Sequence, residues 1–423
     1  MLFSIRKGYD PALPGAPRQS VEDAAPVGSA AILGADCPGL RPALAVATGD
    51  PVRRGQVLFT DRRHPAIAYV SPLTGVVEAI DFGPRRTLSA MVLRRTGQAD
   101  PEDDGAGTPA TPPTGDAREI LLARGLWPAF LARPFGTVPA PDGSPVAILV
   151  SATDSNPLAP DPRIVLADQG PAFDRGLTVL AALTTGPVFV AQPPGAGLAA
   201  AAGGRIRAVE ISGPHPAGLP GAQLYRLRPE IGPGEVWTIG YQDVTAIGHL
   251  FETGDYRSER VVALGGPRAL NPRLVRTVMG ASLRDLTAGE VAPGGRDGFA
   301  RILSGSVLAG REAAWLGRHH HQVTVLDARP EARRLPLPWW LGRPGRGPRP
   351  LIASERLEGL LPFGIPPVPL MRALAVGDSE TAERLGALDL VEEDVALLSC
   401  FCTSGADYGR LLRRVLDDLA EAA

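Results

Sequence analysis

The sequence has 423 residues, of which 44% are hydrophobic and 21% charged, and this length predicts three or four domains of ordinary size. Its 43 basic and 45 acidic residues are spread evenly and leave a formal net charge of -2, which excludes a general basic field that attracts nucleic acid or an anionic membrane surface. No apolar run has the length of a membrane span, and the start MLFSIRKGYD lacks a signal-peptide core. We therefore expect a cytoplasmic chain without a direct membrane span.

Cysteine and lysine are both scarce. Cys37, Cys400 and Cys402 are too few for a disulfide framework, which fits a reducing compartment. Lys7 is the only lysine, and this excludes a P-loop, a Schiff-base enzyme and a biotinyl or lipoyl carrier, because each needs a lysine at a defined place.

Residues 1–99 predict a small all-β unit, because short β-prone runs alternate with turn residues between positions 41 and 97. The order GDPVRRGQVL at 49–58 and SPLTGVV at 71–77 resembles the barrel-sandwich fold of biotinyl and lipoyl domains. That family carries its modified lysine on the intervening hairpin, which here reads DRRHP at 61–65. We expect the fold to be kept as a scaffold without the swinging arm.

Residues 100–117 are acidic and rich in proline and glycine, which is typical of a linker. Residues 118–257 then predict a Rossmann-like α/β domain, because helical segments alternate with apolar strands. The helical segments are 117–126 and 176–183, and the strands are 146–150, 187–190 and 206–211.

Residues 258–330 predict a β-grasp (SLBB-like) domain. We expect a strand over 260–264, a helical stretch through Met279 and Leu286, and strands over 299–303 and 322–326. Residues 331–423 predict a loop-rich segment, dense in Pro, Gly and Arg from 329 to 369, and a C-terminal helical domain. Its helices are expected over 370–376, 379–385 and 408–420, with Asp378 and Ser379 as candidate N-caps.

No motif for a nucleotide or a metal stands out. Glycine clusters at 265–267 and 342–347 predict turns, since neither joins a strand to a helix as a dinucleotide loop does. Cys400 and Cys402 lack the further thiolates of an iron–sulfur cluster, and we interpret them as small buried residues near a helix start. The triplet HHH at 319–321 predicts a solvated strand start, because alternation brings at most two rings to one face.

Residues 154–157 and 241–243 sit where strands of the α/β domain are expected to end, which is the usual side for ligand crevices, and residues 213–221 form a rigid loop with a single histidine, His215. Definition of the loops is as good an explanation of these residues as ligand contact. No nucleophile, base and orienting group can be assembled from them, so we expect no catalytic residues, no resident cofactor and no metal site.

Stretches along nearly the whole chain nevertheless resemble one family in the right order. They are residues 7–10, 14–17, 133–140, 154–159, 180–186, 213–219, 241–244, 271–283, 302–308, 385–390 and 392–394. Together they are similar to the A subunit of the sodium-translocating NADH:quinone reductase.

The resemblance implies a peripheral cytoplasmic subunit on the inner face of the bacterial inner membrane. Its partners would be the membrane and cytoplasmic subunits of the complex, which carry the flavins, the iron–sulfur cluster and the NADH reaction. It also implies a fold similar to the flavin-binding subunit of respiratory complex I, no redox cofactor on this chain, and ubiquinone as a possible substrate.

Two family segments proposed to face quinone correspond to residues 33–40 and 130–137. The resemblance thus implies quinone contacts at Leu33, Gly34, Asp36, Gly39, Leu40, Phe130, Arg133, Pro134 and Phe135. A quinone site needs an apolar slot with few hydrogen-bond donors, which Phe130, Phe135 and Arg133 can supply, although a core role is the favoured interpretation of both phenylalanines.

The sequence also departs from the family. Residues 402–406 read CTSGA where the family carries Cys-Pro-Gly-Lys-Tyr, and the stretch 333–350 replaces a longer segment. An alternative assignment is a ligand- or partner-binding subunit of a related Rnf-type or paralogous electron-transfer assembly.

Overall fold

The computed structural model describes residues 1–96, 111–293, 300–328 and 349–422. The strands in chain order are β1 Leu2–Ser4, β2 Arg18–Asp23, β3 Ser29–Leu33, β4 Pro42–Leu44, β5 Pro51–Val52, β6 Val57–Asp61, β7 Ala68–Val70, β8 Gly75–Phe82, β9 Leu88–Arg95, β10 Leu131–Arg133, β11 Ala147–Ser151, β12 Val188–Gln192, β13 Ile206–Ser212, β14 Val236–Gly240, β15 Glu259–Gly265, β16 Arg273–Val278, β17 Ala300–Ser304, β18 Arg311–Glu312 and β19 Gln322–Asp327. The α-helices are α1 Ala117–Ala123, α2 Pro162–Val165, α3 Gly170–Ala182, α4 Pro220–Ile231, α5 Tyr241–Thr253, α6 Leu283–Leu286, α7 Glu355–Glu358, α8 Pro367–Val376, α9 Ser379–Arg384, α10 Ala396–Phe401 and α11 Tyr408–Ala422.

A six-stranded sheet of order β1-β13-β12-β11-β14-β10 forms the α/β domain. Its strands pair in parallel except for β10, which runs antiparallel to β14 at one edge. Alternate side chains of β11 lie on opposite faces of this sheet. Ile148 and Val150 pack with α3 and α5, and Ala147 and Leu149 pack with the C-terminal helices. Because both faces are covered, these strands appear in the sequence as continuous apolar runs.

Residues 29–95 form the barrel-sandwich domain, in which β3-β9-β8-β5 face the three-stranded sheet β4-β6-β7. The lysine-free hairpin connects β6 to β7, with the His64 amide donating to the Asp61 carbonyl at 3.1 Å. The predicted barrel-sandwich fold is confirmed.

The grasp domain contains the sheet β18-β17-β19-β15-β16-β2. The predicted helical stretch through Met279 and Leu286 is wrong for most of its length. Residues 273–278 form β16, which is antiparallel to β15 and parallel to β2, and only Leu283–Leu286 is helical. The β-branched residues Val275, Thr277 and Val278 favour the extended backbone that this pairing requires.

The N-terminal strands belong to three different sheets. β1 pairs in parallel with β13 of the α/β domain, β2 pairs with β16 of the grasp domain, and β3 pairs with β9 inside the barrel-sandwich. Residues 2–33 therefore connect three domains through backbone hydrogen bonds.

The C-terminal helical domain covers one face of the α/β sheet. Its predicted helices are confirmed, and the Asp378 carboxylate accepts from the Thr381 amide at 2.9 Å as the N-cap of α9. The predicted long loop is interrupted by α7 and ends where α8 begins at Pro367, while the glycine cluster at 342–347 lies outside the described residues. Cys402 is buried as expected, but Cys400 is exposed and lies near the end of α10 rather than at a helix start. Within the described parts of the chain, no helix is both long and apolar enough to cross a membrane.

Two glycines allow α3 and α5 to pack closely on one face of the α/β sheet. A Cβ atom on Gly248 would lie 1.7 Å from the Ala172 carbonyl oxygen, and one on Gly176 would lie 2.1 Å from the Val244 carbonyl oxygen. Both clashes involve backbone, which cannot rotate away as a side chain can. The helix separation therefore depends on the missing side chains.

We expect Gly248→Ala to lower the free energy of unfolding by about 1–3 kcal/mol or more, because an added methyl group overpacks the interface between these helices. Urea denaturation followed by circular dichroism measures the loss. Gly170→Ala on α3 is the matched control, since no atom lies within 4 Å of its added Cβ. Equal effects of the two substitutions would contradict this explanation.

Candidate functional site

A cleft of about 540 Å³ lies where all four domains meet. The barrel-sandwich contributes residues 35–38, and the α/β domain contributes the carboxyl ends of β11 and β14. The grasp domain contributes the loop 305–311 and the histidines 319–321, and the helical domain contributes residues around 391–399 and 407–410. This is the position at which ligands bind in open α/β sheets.

The carboxyl end of β11 places a half-buried carboxylate in the cleft wall. Asp154 accepts hydrogen bonds from the Asn156 backbone amide at 2.8 Å and from its Nδ2 at 2.9 Å. Burial nevertheless raises the pKa of Asp154 to about 6, because the two hydrogen bonds only partly offset the loss of water. The predicted loop at 154–157 thus lines the cleft.

The carboxyl end of β14 leads directly into α5 and brings Tyr241 to the cleft. The Tyr241 hydroxyl is buried and has no hydrogen-bond partner among the described residues. Its ring meets the His321 ring edge-on, with centroids 5.2 Å apart. A buried hydroxyl without a partner is costly, so the arrangement around the Tyr241 hydroxyl calls for an explanation.

The prediction of a solvated start for the histidine triplet is wrong. His319, His320 and His321 precede β19 as expected, but their rings are half-buried and line the cleft. Burial lowers the pKa of His320 and of His321 to about 4, so both rings are neutral at pH 7. The Ser304 hydroxyl lies 2.7 Å from His320 Nδ1 and fixes that ring.

A buried ion pair joins the α/β and grasp domains beside the cleft. Asp243 in the first turn of α5 pairs with Arg260 of β15, and Arg318 approaches the same carboxylate oxygen to 3.6 Å. Burial opposes ionisation of Asp243, but the two guanidinium groups outweigh it and lower its pKa. The neighbouring Gln242 side chain bonds both backbone polar groups of Val261, at 2.8 and 2.9 Å.

Asp36 connects the barrel-sandwich to the grasp domain on another side of the cleft. Its carboxylate pairs with the Arg311 guanidinium and accepts from the Arg318 backbone amide at 2.8 Å. Arg318 also donates from Nε to the Pro128 carbonyl at 3.1 Å, which ties the α/β domain to the same loop.

The helical domain is held by a third ion pair. Arg133 of β10 lies 3.2 Å from the Asp394 carboxylate, and both side chains are buried. The second Asp394 oxygen has no hydrogen-bond partner among the described residues and lies against Gly221, whose added Cβ would approach it to 2.2 Å. Burial, and then the adjacent Asp394 carboxylate, raise the pKa of the neighbouring Glu393 to about 8.

Three family models match the chain. The NqrA N-terminal barrel-sandwich hybrid domain matches residues 3–96, the NqrA second alpha/beta domain matches 114–256, and the NQRA C-terminal domain matches 261–314. A protein of Pseudomonas aeruginosa PAO1, named as the A subunit of the Na(+)-translocating NADH-quinone reductase, is 42% identical over 451 aligned positions, covering 99% of each chain. One of the same name from Klebsiella pneumoniae 342 is 40% identical, covering 99% of this chain and 100% of its own.

The chain belongs to the NqrA family. A solved NAD+-reducing NiFe-hydrogenase also aligns with 65% of this chain and 54% of its own at 11% identity, but its TM-score of 0.36 is too low to support any inference. Within the described ranges, no group of three or more His, Cys, Asp or Glu side chains is arranged to hold a metal ion.

Of the quinone contacts implied by the NqrA resemblance, Asp36 and Arg133 line the cleft. Their segments add further lining residues, Ala35, Pro38, Leu131 and Gly136.

The other seven implied positions lie around the cleft rather than in its wall. Leu40 and Phe130 are buried in the core, Phe130 between the Trp127 and Trp237 rings. Leu33, Pro134 and Phe135 are half-buried, Gly34 abuts the Leu88 carbonyl, and Gly39 is an exposed turn residue.

Sequence reasoning on the NqrA chain missed the roles of Glu393, His320 and the glycine-serine loop at 304–310. A signal existed for Glu393, because three consecutive acidic residues directly precede the apolar run 395–398. The histidines carried no such signal, since their neighbours in the cleft come from three other domains.

Replacing Arg133 alone should be far more damaging than replacing its partner as well. We expect Arg133→Met to lower the free energy of unfolding by about 3–5 kcal/mol, because it leaves the Asp394 carboxylate buried without a countercharge. Asp394→Leu in the same chain should recover most of that loss. A double-mutant cycle by chemical denaturation measures the coupling, and simple additivity of the two effects would contradict the pairing.

Glu393 should make the folded protein less stable as pH rises. An ordinary glutamate has a pKa of 4.5, whereas that of Glu393 is about 8 in the folded chain. The folded state therefore binds more protons than the unfolded state between these values, so the stabilising contribution is complete below pH 4.5 and is lost as pH rises to 8.

We expect Glu393→Gln to reduce this fall in the free energy of unfolding, measured by denaturation at pH 5, 6.5 and 8. Glu383→Gln, an exposed change on α9, is the control and should leave the pH profile unchanged. A wild-type profile for Glu393→Gln would rule out the raised pKa.

Proposed function

We propose that this chain is the peripheral NqrA component of a sodium-translocating NADH:quinone reductase and that the cleft between its four domains binds the quinone headgroup. In this proposal it lies on the cytoplasmic face of the inner membrane, docked on subunits that carry the flavins, the iron–sulfur cluster and the NADH reaction. The family membership and the full-length match to relatives bearing that name support the assignment.

The observation that carries the ligand proposal is the Tyr241 hydroxyl, which is buried in the cleft wall without a partner among the described residues. A quinone is an uncharged, largely apolar ring with two carbonyl oxygens that accept hydrogen bonds. A phenol hydroxyl donates such a bond without placing a charge beside the ring.

Other lining groups match the same chemistry. With its pKa near 8, Glu393 is mostly protonated at pH 7 and can donate a hydrogen bond to a carbonyl oxygen. The imidazoles of His320 and His321 are also neutral at pH 7, because their pKa values are lowered to about 4. Apolar wall is supplied by residues from several domains, among them Pro38, Leu131, Leu219, Ile239, Leu308, Val391 and Ala396.

Two carboxyl groups of the cleft also suit the proton demand of quinone reduction. In that reaction two protons and two electrons convert each quinone to a quinol. Asp154 and Glu393 have pKa values near 6 and 8, so both exchange protons near neutral pH. This chain would bind the headgroup and supply protons, while the electrons come from another component of the complex.

The test replaces the host's own NqrA with tagged variants of this chain. The wild-type chain should co-purify with the membrane subunits and restore sodium-stimulated quinone reduction. Tyr241→Phe should still assemble but weaken quinone binding about three- to tenfold, the value of one hydrogen bond, seen as a rise in the KM for a ubiquinone analogue. Tyr256→Phe, buried outside the cleft, is the matched control.

The two parts of the proposal fail separately. Failure of the wild-type chain to assemble with membrane subunits would refute its place in the complex. Normal assembly with an unchanged KM for Tyr241→Phe would instead refute the cleft as the quinone site.

A further inference from the structure

A second concavity, of about 550 Å³, is separate from the cleft and shares no lining residue with it. It is an open concavity, bordered by residues 4–7, by residues 225 and 226 of helix α4 and by the loop 362–364. Residues 4–7 continue from β1, which is parallel to β13, so they emerge at the same edge of the sheet as the other parallel strand ends. That edge is where α/β sheets place ligands.

Three cationic residues line this concavity, named here the basic pocket: Arg6, Lys7 and Arg226. All three are exposed, and none forms an ion pair with any described residue. The Arg226 guanidinium is directed toward the N-terminal strand, 6.0 Å from the centre of the Phe3 ring. Three like charges therefore share one concavity without an acid to balance them among the residues that the structure describes.

The remaining wall of the basic pocket is shaped by close packing. Tyr225 meets Phe363 edge-on at 5.7 Å, and its hydroxyl lies where a Cβ on Gly364 would approach it to 2.6 Å. Gly364 also has a φ of +67°, which glycine adopts readily. The loop 362–364 is thus packed against α4, and this contact forms part of the wall of the basic pocket.

Unbalanced cations in a concavity raise the local concentration of anions. The net charge of the whole chain is -2, so this attraction is a local property of the pocket. Arginine forks and a lysine ammonium together match the several oxygens of a phosphate group. We propose that the basic pocket binds a phosphate-bearing ligand, either a soluble phosphate ester or the headgroup of an anionic phospholipid. This site is independent of the quinone proposal.

The single lysine makes the test specific. Reductive methylation with carbon-13 formaldehyde labels Lys7 and the N-terminal amine of the full chain while keeping their charge, and Lys7→Gln assigns the Lys7 signal. The labelled chain is titrated with inorganic pyrophosphate and followed by NMR. Separately, its sedimentation with phosphatidylglycerol vesicles is compared with that on phosphatidylcholine vesicles.

We expect a saturable shift of the Lys7 signal, weakened at least about tenfold by Arg226→Glu, since charge-assisted hydrogen bonds are lost. Arg62→Glu makes the same charge change on the exposed barrel-sandwich hairpin and should leave the affinity intact. Pyrophosphate binding supports a soluble ligand, and Arg226-dependent sedimentation with phosphatidylglycerol alone supports a lipid headgroup. No response in either arm, or equal weakening by the two variants, would overturn the proposal.

Discussion

Charge compensation across domain boundaries is the interaction on which the four-domain arrangement depends. Three carboxylates beside the cleft, of which Asp243 and Asp394 are buried and Asp36 is half-buried, are each paired with an arginine from a different domain. The pairs are Asp36 with Arg311, Asp243 with Arg260, and Asp394 with Arg133. A carboxylate that stays buried without its partner is strongly unfavourable, so a different packing of these domains that buried an acid away from its arginine would be costly.

Such pairs contribute more to specificity than to net stability, because desolvation offsets much of the attraction. Their value here is positional: they fix how the barrel-sandwich, grasp and helical domains approach the carboxyl edge of the α/β sheet. The cleft is the space that remains between the four domains in this arrangement. Its wall therefore combines residues that lie far apart in the sequence, such as Asp36, Tyr241 and Glu393.

Several titratable groups that line the cleft are uncharged at pH 7. Its formally charged pairs satisfy one another, two of its histidines are deprotonated, and Glu393 retains its proton. Desolvation is the common cause, because burial penalises the charged form of acids and bases alike. The neutral groups among them can offer hydrogen bonds to the uncharged quinone headgroup proposed above.

The sequence predicted those parts of the fold in which local pattern and tertiary structure agree. The buried strand Ala147–Ser151 appears as an uninterrupted apolar run, and Asp378 caps α9 as its position before the helix indicates. Helix α3 begins at Gly170, six residues before its predicted start. The prediction started too late because the Gly-Pro pair at its beginning resembles a turn, although proline is well tolerated in a first helical turn.

Strand Arg273–Val278 was mistaken for helix because neither of its partners, β15 and β2, is visible from its own sequence. The candidate site was predictable only in part for a related reason. The strand that ends before Asp154 can be located from its apolar run, whereas β14, which leads into Tyr241, was not predicted as a strand, and the half-burial of His320 depends on residues supplied by other domains.

The threading of β1 and β2 into distant sheets has a consequence for synthesis. Leu2–Ser4 can complete its pairing only after Glu210–Ser212 has been made, and β2 must wait for β16. At about 5–20 residues per second, a ribosome needs roughly 10–40 s to reach the first of these partners. During that interval the emerging strands have open edges, so a growing chain of this kind depends on protection from aggregation until its later half arrives.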